Sequence, residues 1–140
     1  MSAPLPRVVV AHWTHPEVLA YLRRFSDPVS PLGRTVMDPD ELLRESRDAQ
    51  ALIVGMSERI DADFLAQCPH LRVVAAVLKG YDNFDVAAFA ARQIWFTVAP
   101  DLLTIPTAEL TLGLILALTR NVRLADRAVR AGEFAGWRPR

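Results

Sequence analysis

Hydrophobic residues run along this chain in short β-branched bursts, each followed by a stretch with helical spacing. The segment "RVVVAHW" from Arg7 reads as a buried strand, and "THPEVLAYLRRF" after it as a helix. Thr14 and Glu17 have capping-box spacing there. The next burst, "DPVSPL", carries two prolines without N–H donors, which places a strand at a sheet edge. In "DPDELLRESRD", Asp38 stands as N-cap, Pro39 at the first helical position and Glu41 three residues past the cap. The alternation continues with "ALIVGM" as strand, "DADFLAQC" as helix, "LRVVAAVL" as strand, "DVAAFAARQ" as helix and "IWFTVA" as strand.

Five short apolar strands alternating with helices predict an α/β fold. It is a flavodoxin-like, doubly wound, parallel five-stranded sheet in the order 2-1-3-4-5, with right-handed crossovers. Ligands of such sheets gather outside the carboxyl ends of the strands, near the switch point between strands one and three. The candidates at those ends are His12 and Trp13, Met56, Lys79 and Gly80, and Pro100 with Asp101.

After residue 100 the pattern changes. "LLTIPTAELTLGLILALTRNVRLADRAVRAGEF" predicts one long helix from near Pro106, with Glu109 near the positive end of its dipole. Its first half is apolar on nearly every side, yet the uncharged run before Arg120 is about ten residues, and about 20 are needed to span a bilayer. Such a helix needs a protein cover beyond one sheet face, either a further domain or a partner subunit. From Arg120 the pattern turns amphipathic, with an arginine stripe at 120, 123, 127 and 130. The division is therefore residues 1–100 as one domain and 101–140 as hinge, long helix and arm.

At 140 residues and 51% hydrophobic, the chain can bury a real core. Sixteen acidic residues balance sixteen basic ones, so no overall field draws it to nucleic acid or an anionic membrane, and a small molecule is the expected partner. The single cysteine, Cys68, has no partner for a disulfide or a metal site and reads as structural. With no secretory signal at the N-terminus, it points to a cytoplasmic location. No metal site is expected. No Gly-x-Gly-x-x-Gly follows any strand, so the 140 residues hold no dinucleotide fingerprint.

Lys79 is the one lysine among the sixteen basic residues. It falls at the carboxyl end of an inner strand, beside Met56, with Gly80 allowing close backbone approach. An ammonium is a compact, mobile point charge, suited to an anion with a tetrahedral oxygen face.

The run "LRVVAAVLKGYDNFDVAAFAARQIWFTVAPDLLTIPTAELTLGLILAL", with "DAQALIVGMSERIDADFLAQCPHLR" before it and "RAGEFAGWRPR" after it, resembles the N-terminal part of phosphite (phosphonate) dehydrogenases. These belong to the NAD-dependent D-2-hydroxyacid dehydrogenase family. The Gly-Tyr-Asp-Asn-Phe-Asp turn and the "PTAEL" helix start are similar to family-wide patterns, whereas Lys79 before Gly80, and Trp137, are similar to the phosphite branch.

The resemblance implies oxidation of phosphite to phosphate with hydride transfer to NAD. It implies that Lys79 and the Gly80 N–H bind the anion, that Met56 and Leu78 wall the pocket, that Trp137 closes it and that Thr107 touches the cofactor. It implies a substrate-binding role for residues 1–100 and a homodimer for the complete enzyme. The family's catalytic arginine, glutamate and histidine and its nucleotide loop have no counterpart in these 140 residues, and His12, His15 and His70 do not match that histidine. No catalytic residue is therefore expected here, nor NAD binding by this chain alone. Two alternatives stand beside this reading: a D-2-hydroxyacid dehydrogenase acting on a 2-hydroxy or 2-keto acid, and a non-catalytic flavodoxin-like module that binds a partner through the apolar helix. A signalling receiver would need acidic residues where "AHW" and "VGM" stand.

Overall fold

The computed structural model describes residues 4–31, 33 and 36–137. The chain divides into two compact units, Met1–Pro100 and Asp101–Arg140. The first unit holds the strands β1 (Arg7–Val10), β2 (Asp27–Val29), β3 (Ala51–Val54), β4 (Val73–Ala76) and β5 (Trp95–Thr97). Between them run the helices α1 (Pro16–Leu22), α2 (Pro39–Ser46), α3 (Ala62–Ala66) and α4 (Val86–Ala91). The strands form one parallel sheet in the order β2-β1-β3-β4-β5, with β2, which contains Pro28, at an edge.

Burial follows from this order. Val8, Val9 and Val10 are consecutive and all buried, because a central parallel strand has both faces covered. Leu52, Val54 and Val74 continue the core, joined by Leu42 from α2, Leu65 from α3 and Phe89 from α4. Phe89 stacks on Phe96 at 4.9 Å between ring centroids, and Phe84 packs against Phe96 at 5.0 Å.

Three helices of this unit start on an aspartate whose carboxylate accepts a backbone N–H three residues on. The pairs are Asp38 with Glu41 at 2.8 Å, Asp61 with Phe64 at 3.1 Å and Asp85 with Ala88 at 2.9 Å. Helix α1 departs from the expected capping box. Pro16 occupies its first turn and fixes the start there, so His15 is the cap and Thr14 lies one residue too early, and no side chain caps the helix.

The second unit also differs from expectation. Its apolar helix begins at Thr104, two residues before Pro106, which the first turn accepts because that N–H has no helical partner. Glu109 consequently lies beyond the first turn. The long helix is two: α5 (Thr104–Thr119) and α6 (Val122–Arg130), separated at Asn121, whose left-handed φ of 52° stops α5. In α5, Leu110, Leu112, Leu114, Ile115, Leu116 and Leu118 are all exposed. In α6, Arg130 Nε pairs with Asp126 at 2.9 Å. No helix among the described residues is long and apolar enough to cross a membrane.

Helix α4 closes with a Schellman turn. The N–H of Gln93 donates to the Ala90 carbonyl at 3.1 Å and that of Ile94 to the Phe89 carbonyl at 2.9 Å. Gln93 takes φ 56° at the position that favours glycine. Relief of the Cβ clash, less the extra chain entropy of glycine, should make Gln93→Gly more stable by about 0.5–1 kcal/mol, read as a higher urea midpoint at unchanged slope.

Candidate functional site

The carboxyl ends of β1, β3 and β4 lie side by side in the sheet, because Val10 pairs with Ile53 and Val54 with Ala76. The loop after β3 is Gly55–Arg59, and the loop after β4 is Val77–Asn83. The registers continue past the strands: Ala11 N–H donates to the Ile53 carbonyl and Val77 N–H to the Val54 carbonyl, both at 2.9 Å.

Glu58 organises the β3 loop. Its side chain is only 3% exposed, and its two oxygens receive three hydrogen bonds. Oε2 accepts the Gly55 N–H at 2.6 Å and stands 2.7 Å from His12 Nε2, while Oε1 accepts the Ser57 hydroxyl at 2.7 Å. Burial by itself pushes the Glu58 pKa up. The hydrogen bonds from Ser57, Gly55 and His12 outweigh it, and the carboxyl ends below its ordinary value of 4.5. Since that carboxylate is ionised at neutral pH, the proton of the short His12–Glu58 bond sits on His12 Nε2.

Gly55 is required by the same geometry. A Cβ there would stand 2.6 Å from His12 Nε2, and the ring cannot retreat without leaving Glu58. Asn83 then ties the second loop to the first: its Nδ2 donates to the Glu58 carbonyl at 2.6 Å and lies 3.4 Å and 3.5 Å from those of Gly55 and Met56. Just beyond, Ile60 N–H donates to the Asn83 carbonyl at 3.3 Å and Asp85 N–H to the Ile60 carbonyl at 3.0 Å.

The residues expected from sequence fall on both units. Met56, 81% exposed, projects from the β3 loop. Leu78 is buried with the core, and its carbonyl accepts the Ala99 N–H at 2.9 Å. Lys79 and Gly80 follow it, both exposed, with open space where a Gly80 Cβ would stand. Thr107 and Trp137 belong to the second unit: Thr107 is in the first turn of α5, and Trp137, 96% exposed, meets Phe134 edge-on at 5.8 Å. Sequence reasoning named His12 but missed Glu58 and Asn83. The signal available was a glutamate three residues after a strand-end glycine, within reach of that glycine's N–H.

Other features stand apart from these loops. A groove lined by His70, Arg72, Arg92 and Trp95 opens at the amino ends of β4 and β5, the edge opposite to the one where parallel sheets gather ligands. Cys68 is fully buried, and burial pushes its thiol up to about 11, which leaves it unreactive at neutral pH.

Residues 8–134 match the family described as D-isomer specific 2-hydroxyacid dehydrogenase, catalytic domain. The glyoxylate reductase of Aeropyrum pernix is 42% identical over 139 residues, which are 96% of this chain and 41% of that protein. That of Pyrococcus horikoshii is 41% identical over 103 residues, 71% of this chain and 31% of that protein. Among solved structures, a D-isomer specific 2-hydroxyacid dehydrogenase from Polaromonas superposes with TM-score 0.85 and 31% identity over 97% of this chain and 43% of its own. The NADPH-dependent glyoxylate/hydroxypyruvate reductase of Sinorhizobium meliloti, solved with NADP and malonate, gives TM-score 0.74 and 29% identity over 96% of this chain and 41% of its own.

The chain belongs to the D-isomer specific 2-hydroxyacid dehydrogenase family, and the matched part is the catalytic domain. It spans about two fifths or less of the length of these relatives.

Glu58 also sets a pH dependence. A carboxyl group held below its ordinary value when folded binds its proton more weakly folded than unfolded. The stability it contributes is therefore present above pH 4.5 and is lost as pH falls through the lower folded value. The stability gap between wild type and Glu58→Gln should be largest at neutral pH and shrink as pH falls below 4.5, as urea unfolding at each pH would measure.

Proposed function

We propose that this chain is the substrate-binding part of an oxidoreductase that interconverts a 2-hydroxy acid and its 2-keto acid, of the glyoxylate/glycolate kind, with a nicotinamide dinucleotide as redox partner. The observation that carries this reading is an unpaired cation beside an open glycine at the carboxyl end of an inner strand. Among the described residues Lys79 makes no ion pair, and the neighbouring basic residue, Arg59, is engaged by Asp61 at 3.2 Å. A small carboxylate placed there meets the Lys79 ammonium and the Gly80 N–H, with Met56 against its apolar side and Leu78 as the floor beneath.

The nicotinamide supplies the hydride acceptor or donor when bound. Residues 1–140 contain no phosphate-binding glycine loop, so by themselves they do not form a dinucleotide site; Thr107 would contribute one contact at its edge. The work of these residues is to bind and orient the anion. The exposed leucines of α5 suit a protein cover, and we assign them to a homodimer contact of the complete enzyme. Sedimentation should then show a dimer whose population rises with concentration.

Phosphite is the second reading, supported by Lys79 itself. Phosphite near neutral pH is largely a dianion and gains more from a point charge than a monoanion does. The two readings separate when the chain is joined to the rest of the Aeropyrum pernix reductase and assayed with NAD(P)H plus glyoxylate and with NAD(P) plus phosphite. On the first reading glyoxylate has the larger kcat/KM; a larger value for phosphite would install the second. In either case Lys79→Ala removes one partner of a desolvated ion pair, worth about 2–5 kcal/mol, or roughly 30-fold or more in kcat/KM. Lys79→Arg should recover only part, because the longer planar group moves the donors. Unchanged kinetics in Lys79→Ala would make it an ordinary surface lysine.

A further inference from the structure

We infer that Glu58 and Asn83 are positioning residues that clamp the two anion-binding loops into one platform, so that the Met56 loop and the Lys79–Gly80 loop move together or not at all. The inference rests on the proposed use of Lys79 and Gly80 for binding, and adds what holds them in place.

Buried Leu78 anchors the start of the β4 loop, but the residues that would face a ligand have no apolar anchor of their own. Met56 and Lys79 point into solvent, and no atom stands within contact distance of a Cβ at Gly80. What fixes the rest of each loop is polar. On the β3 side, one buried carboxylate gathers the Gly55 N–H, the His12 ring and the Ser57 hydroxyl, which joins the ends of β1 and β3 and curls residues 55–58 around the acid. On the β4 side, Asn83 lies in the turn from Tyr81 to Phe84, closed by the Phe84 N–H on the Tyr81 carbonyl at 3.1 Å in the same loop as Lys79, and its amide donates into the carbonyls of the curled loop, most closely to that of Glu58 itself at 2.6 Å.

The two devices are in series. The Glu58 side chain shapes the loop, and the Glu58 carbonyl is what Asn83 grips. If the carboxylate is lost, the Gly55 N–H and His12 Nε2–H lose their acceptor, the curl relaxes and the Glu58 carbonyl drifts from Asn83. A disturbance that starts in the β3 loop must therefore reach Lys79 and Gly80, although Glu58 does not belong to their loop.

A role confined to packing would lower stability and leave the far loop alone, which gives the test. Backbone amides of ¹⁵N-labelled chain are followed in wild type, Glu58→Ala, Glu58→Gln and Asn83→Ala for exchange broadening at Met56–Ser57 and at Lys79–Gly80, with glycolate and phosphite titrated into each. Glu58→Ala and Asn83→Ala should each set both loops into exchange on the μs–ms timescale and weaken anion binding about tenfold, roughly the loss of one hydrogen bond's alignment. Glu58→Gln keeps the shape and one acceptor oxygen for Gly55 and His12 and should be intermediate. The His12 ring ¹⁵N shifts should report the Nε2–H tautomer in wild type and a mixture in Glu58→Ala.

If Glu58→Ala does not fold, Glu58→Gln and Asn83→Ala decide alone. Variants in which each substitution disturbs only its own loop, with Lys79 and Gly80 unchanged by loss of the acid, would overturn the clamp. A wild-type chain that binds neither anion would instead sink the proposed binding role, while the exchange pattern would still decide whether the loops are coupled.

Discussion

A carboxylate taken out of water has to be met by protein donors, and much of this sheet's ligand-facing edge is arranged to meet one. Leaving Glu58 buried without partners would cost several kcal/mol, comparable to a large part of a small domain's net stability of about 5–15 kcal/mol. The chain therefore has little freedom there. Residue 55 must be glycine so that the His12 ring can lie close, His12 must be protonated on Nε2, and the loop must curl within three residues. The exposure of Met56 follows from that curl rather than from any attraction of its own.

The sheet beneath was legible because its signals are local. Strands in a doubly covered parallel sheet are continuous apolar runs, and each following helix is announced by an aspartate or a proline, as at Asp38, Pro39 and Asp85. The failures were of another kind. Thr14 lost the cap to His15 because the position of Pro16 overrides capping-box spacing. The break at Asn121 was hidden in a run of good helix formers, where a single left-handed residue leaves no periodic trace. Glu58, in "GMSERID", has the composition of a solvated turn; only the approach of β1 beside β3 buries it, and that is a tertiary fact. Asn83 was visible as part of a turn, but its target lies in a loop 25 residues earlier. The strand-end rule did bring His12, Met56, Lys79 and Gly80 to notice, because in a parallel sheet topology alone decides which residues share that edge.

Two charges at the carboxyl edge of the sheet are treated in opposite ways, and the difference supports the roles proposed for them. The Glu58 anion is enclosed and satisfied, so its free energy is already invested in the fold and it has little left with which to attract a ligand. The Lys79 cation is exposed and without an ion pair among the described residues, which costs little in water and would leave its full attraction available to the proposed ligand. A satisfied acid that holds the frame and an unsatisfied base that faces outward are what the proposed anion-binding edge requires.

The charge count of the two loops bears on which anion fits. Arg59 is taken up by Asp61, and Asp82 stands three residues after Lys79 as an exposed carboxylate, so these loops offer one available cation and no surplus. A 2-hydroxy or 2-keto acid brings one negative charge and is matched by Lys79 alone. A phosphite dianion brings two, and the second would need a cation from outside these two loops, because hydrogen bonds from Gly80 and its neighbours can align a charge but not neutralise it. The charge count of these loops thus supports the proposed monoanion over phosphite, and a phosphite enzyme built on this platform would have to draw its specificity from a second positive group.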